Sequence, residues 1–111
     1  MKSTEELEVI KSALQAKLNP APVYTVIVPL DEEETIFATI YLKAFDRMVL
    51  SSVQKIIGSN DILKAVEVFL KNTYVGGDEI ELVTGNFIAI RACQDTVFEL
   101  MTAKKAILKK N

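Results

Sequence analysis

The chain has 111 residues, half of them hydrophobic and a quarter charged, with a net charge of −2, no histidine, no tryptophan and one cysteine. A chain of this length fits one domain that buries roughly two-thirds of its surface on folding, and the composition excludes wholesale disorder. A single cysteine excludes an internal disulfide, and the absence of histidine removes the usual general base and the commonest metal ligand.

Ser3-Thr4-Glu5-Glu6 has the form of a capping box, in which Ser3 caps the backbone and Glu6 reaches back. Leu7, Ile10, Leu14 and Leu18 then recur at steps of three and four, which predicts one apolar face of a helix ending before Asn19-Pro20. Pro20 and Pro22 make a stiff connector. Val23 to Val28 is dense in β-branched and aromatic residues and reads as a strand. The acidic run Asp31-Glu32-Glu33-Glu34 is too costly to bury and reads as an exposed turn; it lacks the Asp/Asn alternation and central glycine of a calcium loop. Thr35 to Leu42 is a second strand, so the two runs form an antiparallel hairpin.

From Asp46 the apolar period changes from two to 3.6. Asp46 is placed to cap a helix carrying Val49, Val53, Ile56 and Ile57, which stops at Gly58. Asn60 or Asp61 caps the next helix, striped by Ile62, Leu63, Val66, Phe69 and Leu70, with Glu67 and Lys71 at the favourable i, i+4 spacing. The short link packs these two helices as a hairpin. Gly76-Gly77-Asp78 reads as a helix C-cap plus a tight turn, and lacks the G-x-G-x-x-G spacing of a nucleotide loop. Glu79 to Val83 is a short extended piece, Thr84-Gly85-Asn86 a second turn, and Asn86 caps a last helix over 87–108. The expected fold is α+β, mainly helical, in the order α-β-β-α-α-α, with one hairpin packed on or beside a helical bundle in a single domain, 1–111.

A two-stranded hairpin is marginal alone, so it must lie on the helices or pair with strands of another copy. Tyr24, Phe37 and Tyr41 either fill the same core or populate a second face that contributes to an oligomer contact. Cys93 sits in an apolar-periodic segment and reads as a small buried hydrophobe.

Charge is uneven: residues 1–34 carry seven acids against three lysines, whereas 35–111 carry ten bases against eight acids. Lys104, Lys105, Lys109 and Lys110 suit the negative end of a terminal helix. A pI near 5.2 gives no electrostatic reason to bind nucleic acid. No apolar stretch approaches the roughly 20 residues needed to span a bilayer, and the N-terminus lacks the apolar run of a secretion signal, so a cytoplasmic setting is expected. With no Ser-His-Asp or Cys-His set, no cysteine pair for zinc and no P-loop, neither an enzyme nor a cofactor or metal site is expected.

The series of a strand, the segment Tyr41-Leu42-Lys43-Ala44-Phe45-Asp46-Arg47, two capped helices, then Val75-Gly76-Gly77-Asp78-Glu79 and a long final helix resembles the small tail assembly chaperones of long-tailed phages and prophages. The resemblance covers residues 23–108; those proteins often carry a proline where Ala44 or Phe45 stands, and the capped helix over 1–19 is longer than theirs. It implies a non-enzymatic, oligomeric helper that binds the helix-rich tape-measure protein in the host cytoplasm and keeps it soluble until the tail tube polymerises. The candidate contacts are Tyr24, Phe37 and Tyr41 on the hairpin and the second stripe of the final helix, Ile88 and Ala92. The alternative is a structural virion component or an oligomeric host adaptor.

Overall fold

The first helix, α1 (Thr4–Leu18), opens on the expected capping box: Glu6 N–H donates to Ser3 Oγ at 3.2 Å, and Ser3 N–H donates back to Glu6 Oε1 at 3.4 Å. The computed structural model describes the backbone of residues 1–110 and the side chains of residues 1–102. After α1 come β1 (Val23–Pro29), β2 (Phe37–Lys43), α2 (Arg47–Gly58), α3 (Ile62–Thr73), β3 (Tyr74–Gly77), the single turn α4 (Glu81–Thr84) and α5 (Phe87–Lys110). The fold is α+β and mainly helical. The side chains of Lys104, Lys105, Lys109 and Lys110 lie outside the described residues.

Asp46 and Asp61 cap α2 and α3, accepting from Val49 N–H at 2.9 Å and Lys64 N–H at 3.2 Å. Asn86 Oδ1 accepts from Ile88 N–H at 2.9 Å at the start of α5, while its Nδ2 donates to the Leu30 carbonyl at 2.9 Å and ties that start to the hairpin. Glu67 and Lys71 pair at 3.1 Å on α3. Among the acids of the hairpin turn, Asp31 folds back on its own loop. Its carboxylate accepts from the Thr35 hydroxyl and from the N–H groups of Thr35 and Ile36 at 2.8 and 3.1 Å. The Thr35 hydroxyl, followed by the Ile36 amide, holds this carboxyl below its ordinary value.

The sheet has three antiparallel strands in the order β1-β2-β3, one more than expected. Gly76-Gly77-Asp78 is therefore not a helix cap and tight turn. α3 ends at Thr73, and the chain runs straight into β3 along the free side of β2, pairing Gly76 with Tyr41 and Gly77 with Ile40. The glycines are needed for contact. A Cβ on Gly77, at φ +103°, would lie 2.5 Å from the Thr39 carbonyl oxygen. The predicted extended piece over Glu79 to Val83 is instead a turn at Ile80 followed by most of α4, because the backbone bends away from the sheet at Asp78.

The register divides the sheet into two faces. Tyr24, Val26 and Val28 stand opposite Leu42, Ile40 and Ala38 and look toward the helices. There Val26, Val28, Ala38, Ile40 and Leu42 join Val53, Val66, Phe69, Leu70, Val83, Ile90 and Val97 in one core. Phe45 and Phe69 meet at 5.3 Å with their rings tilted by 60°, a favourable aromatic arrangement. The other face carries Val23, Thr25, Ile27 and Pro29 opposite Lys43, Tyr41, Thr39 and Phe37. α1 crosses that face at the β3 side. Ile10 and Leu14 lie over Gly76, where an added Cβ would stand 3.1 and 3.0 Å from their methyl carbons, and no residue of α1 is fully buried.

Candidate partner-binding surface

Two kinds of site emerge from this layout, an acid that anchors α1 and an apolar strip that α1 leaves open. Asp78 is 2% exposed, and its carboxylate accepts from Lys2 N–H and from Thr39 N–H, each at 2.8 Å. Its own N–H donates to the Thr39 carbonyl at 2.8 Å, and its carbonyl accepts from the Tyr74 hydroxyl at 2.9 Å. A buried carboxylate with backbone donors on both oxygens is a structural clasp. It joins the segment before α1 to the centre of the sheet.

The strip lies on the α1 side of the sheet, beyond the reach of the helix. Ile27 is 63% exposed and Phe37 43%, on neighbouring strands of the same face; Ile36, before β2, takes the position opposite Leu30 and belongs to the other side. Thr39 stands opposite Ile27, Pro29 opposite Phe37 and Thr25 beyond them, so the surface is free of charge between the acidic turn and Lys43.

The five residues expected to make partner contacts do not form one surface. Tyr41 is 2% exposed and sits under α1, with its hydroxyl donating to the Leu7 carbonyl at 3.0 Å, so it belongs to the interior and not to a contact patch. Tyr24 and Phe37 point to opposite faces of the sheet: Tyr24 is at the rim of the helical core, and Phe37 is on the open strip. Ile88 is half-buried and Ala92 exposed on α5, the helix that packs on the core side of β1. Only Phe37 of the five lies on the strip. The strip's other member, Ile27, was hidden in a run read only as dense in β-branched and aromatic residues. Period-two alternation through Val23 to Pro29 was the signal available, since consecutive residues of a strand must face opposite ways.

Burial pushes the Cys93 thiol up to about 11, which makes it a poor nucleophile. Two shallow grooves are open to solvent, one lined by Asp61, Lys64, Glu67 and Phe87 among others, the second by Met1, Lys2, Asp78, Glu79 and Leu82. Among the described residues no three His, Cys, Asp or Glu side chains gather in a way that could hold a metal ion, and no helix is long and apolar enough to cross a membrane. Comparison with known proteins finds no matching family model, no matching curated protein and no matching solved structure.

Proposed function

We propose that this chain is a non-enzymatic binding protein of the tail-assembly-chaperone kind, holding an apolar helical segment of a tape-measure protein in the cytoplasm before assembly. The observation that carries the reading is the strip of Ile27 and Phe37, exposed beside α1 on a sheet face that the helix covers only at the β3 side. An amphipathic helix laid alongside α1 would bury these side chains by the helix-in-groove mode, in which apolar residues at helical spacing dock on an apolar surface. The resemblance of residues 23–108 to that family supports the choice of partner. Self-association fits the same role, because several copies would cover a longer helix.

Co-expression with the tape-measure protein of the same genome tests the proposal. The expected result is a soluble complex recovered with the native chain and lost with Phe37→Ser. A tape-measure protein that stays insoluble with the native chain, or one equally soluble with Phe37→Ser, overturns it.

A further inference from the structure

The outer edge of the sheet presents a second feature, carried by main-chain groups and sharing only Ile27 with the strip. Thr39 accepts from Asp78 N–H, so its main-chain groups point toward β3. Those of Ala38 and Ile40 therefore point toward β1. By the register Val26↔Ile40 and Val28↔Ala38, Val26 and Val28 spend their N–H and C=O groups on β2. Val23, Thr25 and Ile27 direct theirs away from the sheet, where no strand pairs with β1 among the described residues.

Sheets ordinarily protect such an edge with lysines, inward charges, bulges or prolines. β1 has no charge and no bulge, and its one proline, Pro29, is its last residue. Its sequence is VYTVIVP, its pairing with β2 runs unbroken from Val23 to Pro29, and a proline stands at each end, Pro22 before it and Pro29 as its last residue.

We propose that β1 is a self-pairing edge: two copies of this chain join antiparallel through β1 about a two-fold axis at Thr25, making one continuous sheet. The register follows from the outward groups. Centred on Thr25, Thr25 faces Thr25 of the second copy, and Val23 faces its Ile27. All are hydrogen-bonded pairs, so every outward N–H of the strand meets a carbonyl. Centring on Val26 or Ile27 would set Val23 or Thr25 against Pro29, which has no N–H. Centring on Tyr24 or Val23 would set Ile27 against Ala21 or Asn19, outside the strand. The side-chain pairs are also favourable ones, Thr on Thr and Val on Ile, with no charge opposed. Antiparallel pairing further places the acidic turns Asp31 to Glu34 at opposite ends of the dimer. Each then lies toward the end of the partner's α1 that carries Lys17, whereas a parallel pairing would bring the two acidic turns side by side.

Light scattering on the full chain at about 100 micromolar gives the first reading, and twice the 12.3 kDa chain mass is expected. Thr25→Pro removes a donor at the axis in a position where an edge strand tolerates proline. It should give a monomer with an unchanged helical circular-dichroism spectrum. Ile27→Lys, at a side chain that is exposed in the single chain, should raise the dimer dissociation constant about tenfold or more, and it carries the test if the proline variant fails to fold. The register is read by Thr25→Cys. Its Cα atoms lie about 5.5 Å apart across the axis and should be joined by a short bis-maleimide, while Ala21→Cys, about 27 Å apart at 3.4 Å per residue, should not. A single-chain mass, which would leave the edge to a strand of some other protein, overturns the proposal. So does an oligomer indifferent to both Thr25→Pro and Ile27→Lys, or cross-linking at Ala21→Cys in place of Thr25→Cys.

Discussion

A methyl group on Gly77 would stand 2.5 Å from the Thr39 carbonyl oxygen and 3.0 Å from Ile40 Cα, at a φ of +103°. The obstacle is backbone and cannot swing aside, so Gly77→Ala should cost about 2 kcal/mol or more, seen as a lower urea midpoint. Gly58 is the opposite case. Nothing lies within 4 Å of its virtual Cβ, and Gly58→Ala should gain about 0.5 kcal/mol from helix propensity and a less mobile unfolded chain. The sequence marked both glycines as helix ends. It was right for Gly58, where the evidence is local, and wrong for Gly77, whose role is set by the distant backbone of β2. The buried hydroxyls and thiol act together on alkaline stability. Burial raises Cys93 from 9.0 to about 11 and also raises Tyr41 and Tyr74 above 10.0. Each group then holds its proton more tightly folded than unfolded. Stability is accordingly full below pH 9 and falls as pH rises from 9 toward 11. Denaturant midpoints across that range should show the fall, and a shallower one between pH 9 and 10 in Cys93→Ala.

Elements with their own signals were legible: caps at Ser3, Asp46, Asp61 and Asn86, a 3.6 period in the helices, and β-branched runs in β1 and β2. β3 and α4 were not. Four residues each, they carry too few positions to display a period, and β3 exists because β2 offers a free side at the close of α3. The same limit hid the weakness of α1, whose apolar repeat looks as strong as that of α3. α3 buries Ala65, Val66, Phe69, Leu70 and Thr73, yet α1 buries no residue fully. It is held by Ile10 and Leu14 over Gly76, by the Tyr41 hydroxyl on the Leu7 carbonyl, and by Lys2 on Asp78. A helix so attached opens without global unfolding. Its amides should exchange with deuterium faster than those of α3 by at least about tenfold. Tyr41→Phe should widen that gap at a cost of about 1 kcal/mol. Equal protection in the two helices would mean that α1 unfolds only with the core.

At the scale of the whole molecule the question is which apolar groups hold the fold and which are left for a partner. The faces of β2 separate the two. Ile40 and Phe37 are on the same strand three residues apart, one fully buried among α3 and α5 residues, the other on the open strip. Removing side-chain carbons from Ile40 opens a cavity that neighbouring side chains fill only in part, so Ile40→Ala should cost about 3 kcal/mol. Any loss of partner binding in that variant then says nothing about the surface. Ile27→Ser with Phe37→Ser removes apolar area that is already in contact with water, and exposed substitutions shift stability by only about 0.5 kcal/mol. This double variant should therefore keep the native thermal midpoint within a few degrees and fail to hold an apolar helix. The sequence alone offered Tyr24 and Tyr41 as partner contacts as readily as Phe37. The side each side chain faces depends on strand register and on where α1 settles, and neither is written in any one segment. If the double variant melts well below the native chain, the strip is part of the core by another route and the partner surface must be sought elsewhere. If it melts as the native chain does and loses the helix, stability and binding reside on opposite faces of a single sheet.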